Sequence, residues 1–294
     1  MLAQQLINGI TLGGIYAVVA LGYTMVFGVL DIINMAHGEV VMFGAFAGML
    51  LASGLGAPLW AVFAGAVIAA GALGYLLELL SLRPLRRRRV TAKLAPLIST
   101  IGVSILLENV ALKLFGPGNH PFKTPLSDMK FSLAGVDIYL VQMVILGISL
   151  MLAAALYLWL YRTKEGLSLR AVAEDSEIAS ILGVNIDRAI TITVVTASMA
   201  GGAAGVLIGM AYSNVSTQMG VSIGLKGLAI IIFGGMGSVG GAVAGGLILG
   251  LAETLIAAYW DSGYRDAAAF FIITLVLLVR PQGLFGRDAA AMRH

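Results

Sequence analysis

Cysteine is absent from all 294 residues, so the chain has no disulfide, no thiolate nucleophile and no cysteine metal ligand. Charged residues make up only 11% of the sequence and histidine occurs three times, whereas 59% of the residues are hydrophobic. Soluble domains are about a quarter charged. A chain with so little charge lacks the polar surface of a soluble protein, and the composition therefore indicates a lipid environment.

Motifs typical of enzymes and nucleotide-binding proteins are also missing. The sequence has no G-x-x-x-x-G-K-[ST] P-loop and no H-E-x-x-H metal motif. One G-x-G-x-x-G match, at 235–240, does not follow a strand of a soluble βαβ unit, so we interpret it as a helix-breaking or close-packing segment. The net charge of +3 is too small for a nucleic-acid-binding surface. We therefore expect no catalysis, cofactor, metal or nucleic acid on this chain.

Long apolar segments predict the fold class. A spanning helix needs about 20 mostly apolar residues, and no basic residue precedes the first apolar run, which argues for a retained span over a cleaved signal peptide. We predict an all-α polytopic membrane protein with about eight transmembrane helices, one or two of them broken or re-entrant. The candidates are Leu6–Leu30, Val40–Leu55, Leu59–Leu82, Leu94–Phe115, Ile138–Tyr161, Ile190–Tyr212, Leu228–Ala258 and Ala267–Val279.

The distribution of basic residues predicts the topology. No Lys or Arg precedes Arg83, and the cations then cluster in 83–93, in 162–170 and in the tail from Arg280. The positive-inside rule places these three regions in the cytoplasm and the turn-rich segment 116–137 outside. The tail from Arg280 then reaches the cytoplasm only if the segment 228–258 crosses the membrane twice or returns to the side it entered from. A break at its glycine-rich stretch, GGMGSVGGAVAGG, would allow this.

A polar cluster, DIINMAHGEV, interrupts the apolar first third of the chain. On a continuous helix Asp31, Asn34 and His37 share one face, and Glu39 joins them only if the chain bends near Gly38. Three interpretations remain open: a polar turn at the cytoplasmic boundary, a structural network inside the membrane, or the wall of a translocation path.

Two further acids lie in apolar segments. Glu108 falls within 94–115, and it could either pair with another helix or line the translocation path. Glu253 is expected near a membrane interface. The candidate path residues are Asp31, Asn34, His37, Gly38, Glu39 and Glu108.

The highly charged segment 162–188 predicts a short cytoplasmic helix. Asp175 is a plausible N-cap, Glu177 lies in the first turn where the helix dipole favours an anion, and Gly183 is a plausible stop. Ile178 is followed by apolar residues at i+3 and i+4, which form a small apolar face. This helix is either an ordinary interfacial helix or a docking element for another protein.

Here the sequence resembles a known family. Glu177-x-Ala179-x-x-x-Gly183 is similar to the EAA-x-x-x-G core of bacterial ATP-binding-cassette importer permeases, with Ile178 in place of the first alanine. Together with GGIYAVVALGYTMVFGVLDIINMAHGE, RPLRRR, APLISTIGVSILL, LKGLAIIIFGGMGSVGGAVAGGLILGLAE and RPQGLFG, it resembles the LIV-type permeases of branched-chain amino acid importers.

The resemblance implies one permease domain over 1–294, in the bacterial inner membrane, working by alternating access. It implies a second homologous permease, a periplasmic solute-binding protein and two cytoplasmic ATPases that hold the ATP and Mg. The loop at about 162–188 would couple to an ATPase through Ala171, Glu174, Asp175, Glu177, Ile178, Ala179, Leu182 and Gly183.

Other transport functions remain alternatives. The same importer architecture serves urea, short amides or other amino acids. A secondary transporter would use Asp31, His37 and Glu39 for protons or Na⁺, and a passive channel would need no ATPase.

Overall fold

The computed structural model describes residues 2–87, 94–124, 129–133 and 136–286, and these are mostly helical. The helices are α1 (Leu2–Leu30), α2 (His37–Met49), α3 (Leu59–Leu77), α4 (Arg83–Arg87), α5 (Ala95–Phe115), α6 (Leu140–Arg162), α7 (Lys164–Glu174), α8 (Ser176–Ile181), α9 (Ile186–Tyr212), α10 (Met219–Gly234), α11 (Val239–Tyr259) and α12 (Arg265–Val279). The π-helical segments Leu50–Gly54 and Glu78–Leu82 extend α2 and α3, and a 3₁₀ turn, Ser262–Tyr264, precedes α12.

Seven helical stretches within the described ranges are long and apolar enough to cross a membrane, and α10 is a shorter apolar helix. The prediction of an all-α polytopic membrane protein is confirmed. The seven are Leu2–Leu30, His37–Gly54, Leu59–Arg87, Ala95–Phe115, Leu140–Arg162, Ile186–Tyr212 and Val239–Tyr259.

The predicted interruption of the segment 228–258 is also confirmed. The chain turns between α10 and α11, where Gly235 and Gly237 take positive φ angles of 102° and 81°, and the Ser238 hydroxyl caps α11 by accepting from the Gly241 N–H. The single candidate Leu228–Ala258 is therefore two helices that run in opposite directions.

The ends of the helices sort to two sides of the bundle. The Arg86 guanidinium pairs with Asp187, which joins α4 to the start of α9, and the backbone N–H groups of Leu284 and Phe285 bond to the end of α10. These basic or charged ends form the cytoplasmic side by the positive-inside rule. The other basic residues for which a cytoplasmic location is predicted, at 88–93 and 287–294, lie outside the described residues.

The outer side carries short strands. The predicted segment 116–137 contains no helix among its described residues, as expected, but it forms strands that the sequence did not indicate. β1 (Asn119–Pro121) pairs antiparallel with β4 (Asn214–Ser216), in the register His120 opposite Val215. A second antiparallel pair joins β2 (Lys130–Leu133) to β3 (Val136–Tyr139).

The core lies around α1 and α9, whose most apolar stretches are 89% and 78% buried, whereas α5 and α6 lie at the periphery with 17% and 11% buried. Close backbone approach holds the centre together. A Cβ at Gly13 would lie 2.7 Å from the Leu247 Cα of α11, and Gly44 of α2 lies directly against Gly202 of α9. Gly9 and Gly13, and likewise Gly44 and Gly48, are spaced four residues apart, a spacing of small residues that lets helices approach closely in lipid.

Candidate functional site

The polar cluster begins with a break between α1 and α2. Helix α1 ends at Leu30, and Asp31 takes a left-handed φ of 51°. The Asn34 side-chain oxygen accepts from the Ala36 N–H at 3.1 Å, which forms a turn. The continuous helix on which Asp31, Asn34 and His37 would share one face does not form, because α1 stops before Asp31. The chain does break close to Gly38, at 31–36, and Gly38 itself is the second residue of α2.

Helix α2 starts deep inside the bundle. His37 packs against Gly22 of α1 and Gly201 of α9, and its ring meets the Tyr23 ring edge-on at 4.6 Å. Gly22 lies eight residues before the end of α1, about 12 Å along the axis at 1.5 Å per residue. Asp31 is exposed at the cytoplasmic end of α1. The cluster is therefore exposed at Asp31 and buried in the bundle from His37 onward.

Glu39 is a buried carboxylate of α2. The side chain is 1% exposed, and its Oε1 accepts from the Ser104 hydroxyl of α5 at 3.3 Å. Within the described ranges its Oε2 has no hydrogen-bond partner, and no Lys, Arg or His forms an ion pair with it. Glu108, half-buried, lies one helical turn from Ser104 on the same side of α5, the side that contacts Glu39. The two acids thus approach each other at one place inside the bundle.

Helix α10 begins beside α2. A Cβ at Gly38 would collide with the Gly220 carbonyl oxygen and lie 2.6 Å from the Gly224 Cα, and Gly220 in turn lies against the Glu39 carboxylate. From there α2 runs outward and α10 runs toward the cytoplasm. Two helix N-termini inside the membrane resemble the discontinuous helices of transporters, whose termini face substrate or ions.

A second intramembrane cluster was missed by the sequence analysis. Lys226 of α10 is only 7% exposed, and its Nζ lies 3.0 Å from Glu253 Oε1 of α11 and 2.8 Å from Asp266 Oδ1 of α12. Glu253 also accepts from the Tyr16 hydroxyl at 2.8 Å and from Arg265 Nε at 3.1 Å. The Glu253 side chain is completely buried among these partners.

Two cavities adjoin this second cluster on the outer side. The larger, about 560 Å³, is lined by residues of α1, α6, α9 and α11 together with Arg265. The smaller, about 240 Å³, is lined by residues that include Tyr16, Ile208, Met219, Ile223 and Lys226. Tyr212 lines both cavities, so the Lys226 cluster lies at their common wall.

The cytoplasmic segment folds as its local sequence predicts. The Asp175 carboxylate accepts from the backbone N–H groups of Glu177 at 2.8 Å and Ile178 at 2.9 Å, and helix α8 follows. Gly183, with φ of 88°, ends the turn after α8. Ala179 is buried on the remainder of the protein, whereas Ile178 is 56% exposed.

The apolar face of α8 is exposed on the surface of the chain. Ile181 is 80% exposed and Leu182 is 76% exposed. Glu174 and Glu177 are exposed beside them, and Ala171 is half-buried on α7. The residues predicted for coupling are thus brought together on one short helix and its flanks.

Comparison with known proteins decides the family. The sequence model of one protein family, described as the permease component of the branched-chain amino acid transport system, matches residues 5–279. The chain belongs to this family. It is similar to the high-affinity branched-chain amino acid transport system permease proteins BraD of Pseudomonas aeruginosa and LivH of Escherichia coli K12, each 38% identical over 97% of this chain and 95% of the relative. A probable LivH permease of Methanocaldococcus jannaschii is 26% identical over 96% of this chain and 91% of that protein.

A solved structure supports the fold of this permease. PsaBC from Streptococcus pneumoniae in complex with Fab matches with a TM-score of 0.52 at 13% identity, over 94% of this chain and 91% of that one. At this identity the likeness shows the fold alone. The chain is a multi-pass transport subunit of the bacterial inner membrane, as family and spans together indicate.

Proposed function

We propose that this permease imports branched-chain amino acids as one subunit of an ATP-driven complex. The complex would contain a second homologous permease, a periplasmic solute-binding protein and two cytoplasmic ATPases that bind ATP and Mg. The observation that supports this most directly is the solvent-exposed apolar face of α8, because an exposed apolar patch rimmed by acids is typical of a protein contact.

Packing suggests how a movement of α8 reaches the membrane. Ala179 of α8 belongs to a buried cluster with Leu169 of α7 and Ala189 of α9. Helix α9 continues into the core, where Gly205 lies against the Val41 carbonyl of α2. A displacement of α8 by an ATPase is therefore passed through α9 to α2, which carries Glu39.

The site around Glu39 suits one part of the substrate. An amino acid crosses the membrane as a zwitterion, and its ammonium group needs a carboxylate at a place where water is scarce. Glu39 has a free carboxylate oxygen, with Ser104 and Glu108 beside it. His37 and Gly38 fix the start of α2 against α9 and α10, Asn34 holds the preceding turn, and Asp31 lies at the cytoplasmic mouth.

The test is transport by the whole complex in proteoliposomes. We expect ATP-dependent uptake of leucine when permeases, ATPases and binding protein are all present, and none when the ATPases are omitted. Uptake that persists without ATPases would indicate a secondary transporter or a channel. ATP-driven uptake of urea but not of leucine would retain the architecture and refute the substrate.

Ile181→Glu should uncouple transport from ATP hydrolysis. The substitution places a charge in the centre of the exposed face of α8, where contact with an ATPase would desolvate it. We expect leucine uptake to fall by about tenfold or more, because burying one unpaired charge costs several kcal/mol. Uptake in proteoliposomes and co-purification of the ATPases measure the effect.

Ser180→Glu is the matched control, because it adds the same charge to an exposed position of α8 and leaves the apolar face intact. It should retain most of the uptake. Equal uptake by Ile181→Glu and wild type would refute the docking role.

A further inference from the structure

We propose that Lys226 binds the carboxylate of the transported amino acid in the 240 Å³ cavity, and that Asp266 occupies its place in the empty protein. This inference rests on the proposed function and adds a second contact point to it, distinct from Glu39. The first observation is the burial of Lys226. A charged lysine in a membrane helix is energetically costly, so it usually pairs inside the bundle and marks a substrate or ion pathway.

The two acidic partners of Lys226 differ in how firmly they are held. Glu253 is completely buried and contacts three groups, Lys226, Tyr16 and Arg265. The Asp266 side chain is 56% exposed, and its pairing with Lys226 is the one ion pair it makes among the described residues. Glu253 is thus held firmly in the cluster, whereas the Asp266 carboxylate can leave Lys226 and become hydrated.

The charge of the cluster allows this exchange. Lys226 and Arg265 supply two positive charges, and Glu253 and Asp266 supply two negative charges. When Asp266 leaves, one positive charge remains uncompensated at Lys226. Asp266 itself lies in the first turn of α12, where the helix dipole favours an anion, so it stays stable after release.

The adjoining cavity fits a small amphiphilic solute. Lys226 and Tyr16 line it together with the apolar side chains Ile208, Met219 and Ile223 and with the polar residues Tyr212, Asn214, Ser216, Gln218 and Ser222. Its volume of about 240 Å³ is below the 300–1,000 Å³ of typical drug-sized ligand pockets. A cation beside an apolar wall is the arrangement that binds a carboxylate attached to an aliphatic side chain.

The cavity also contains the start of α10. Met219, the first residue of this helix, lines it, as does the N-cap residue Gln218, which makes no side-chain capping bond. Free backbone N–H groups at a helix N-terminus favour a carboxylate. Lys226, two turns further along α10, adds a full positive charge to the same cavity.

Direct binding to the purified permease–ATPase complex, without the solute-binding protein, tests this proposal. The probes are radiolabelled L-leucine and unlabelled L-leucinamide, which keeps the ammonium group and the side chain but lacks the carboxylate. We expect leucinamide to compete about tenfold more weakly than leucine, the factor that one charge-assisted bond accounts for. Lys226→Met should bind leucine more weakly and lose this preference, whereas Lys226→Arg should retain it.

Asp266→Asn should change leucine affinity in the opposite direction to Lys226→Met. It therefore tests the proposal even if the Lys226 variants fold poorly. Because it removes the competing carboxylate from an exposed position, it should tighten leucine binding. Lys113→Met, at an exposed lysine near the end of α5, is the matched control and should bind as wild type does.

Three results would overturn the proposal: a leucine preference preserved in Lys226→Met, weaker leucine binding in Asp266→Asn, or no displaceable leucine binding to the wild-type complex at millimolar leucine. Failure of the proposed function shows separately, as the absence of ATP-dependent leucine uptake by the wild-type complex with its binding protein.

Discussion

Replacing Gly38 with alanine is expected to abolish leucine uptake and to destabilise the permease by about 3 kcal/mol or more, above the usual range for overpacking. The reason is that the new Cβ would meet backbone atoms, which cannot rotate away. It would collide with the Gly220 carbonyl oxygen and lie 2.6 Å from the Gly224 Cα. Helices α2 and α10 would have to separate at the place where both begin. Thermal unfolding in detergent and uptake in proteoliposomes measure the two effects.

Gly28→Ala is the matched control for this prediction. Gly28 also lies in a helix, but a Cβ there would have no atom within 4 Å. Alanine has the higher helix propensity, by roughly 1 kcal/mol, so this variant should be as stable as wild type or slightly more stable. If Gly38→Ala unfolded at the same temperature and transported at the same rate as Gly28→Ala, the close contact between α2 and α10 would be refuted.

Glu39→Gln is expected to reduce leucine uptake by about tenfold or more, because a charge-assisted bond worth about 1.5–3 kcal/mol is lost. The same change should leave the thermal stability unchanged or raise it. Glu39 is buried, has no cationic partner in the described part of the chain, and keeps one oxygen without a hydrogen bond. A buried unpaired charge destabilises a fold, so the neutral amide should be tolerated. A purely structural carboxylate would behave in the opposite way.

Glu78→Gln provides that opposite case. Glu78 is also buried, but its Oε1 lies 2.6 Å from Arg86 Nη2, and Arg86 in turn pairs with Asp187 at 3.0 Å. Neutralising Glu78 should lower stability by about 1–3 kcal/mol, since a charged partner loses its bond. If Glu39→Gln lost stability as Glu78→Gln does and still transported leucine, Glu39 would be structural and the proposed path would be wrong.

Local signals in the sequence were sufficient where the structure is local. Asp175 at the start of α8 and Gly183 after its end act as predicted, because capping depends on residues two to four positions apart. The turn at Gly235 and Gly237 was predictable for the same reason, since glycine favours the positive φ angles found there.

The start of α2 could not be located from the sequence. The run 31–39 is compatible with a continuous helix or with a bend, and the choice depends on distant contacts. His37 fits against Gly22 and Gly201, and Gly38 fits against α10. These partners are separated from the cluster by up to 186 residues (224 − 38), and no pattern within the cluster indicates them.

The Lys226 cluster was missed for a related reason. Its members come from α1, α10, α11 and α12, so no spacing rule connects them. One signal was present: Lys226 is the only basic residue between Arg188 and Arg265, and Glu253 is the only acid between Asp187 and Asp261. Two lone opposite charges in apolar segments predict a pair, because an unpaired charge is costly in a membrane.

The central claim is that the Glu39 site lies on a path that ATP hydrolysis in the partner subunits opens and closes. Because the protein has no cysteine, Ser104→Cys gives a single thiol beside Glu39, where the native hydroxyl lies 3.3 Å from the carboxylate. Ser198→Cys, buried between α9 and α3, is the control. In the reconstituted complex we expect a charged, membrane-impermeant thiol reagent to label position 104 at a rate that changes with ATP binding, and to leave position 198 unlabelled. A thiol at position 104 that stays unreactive with and without ATP would contradict the account.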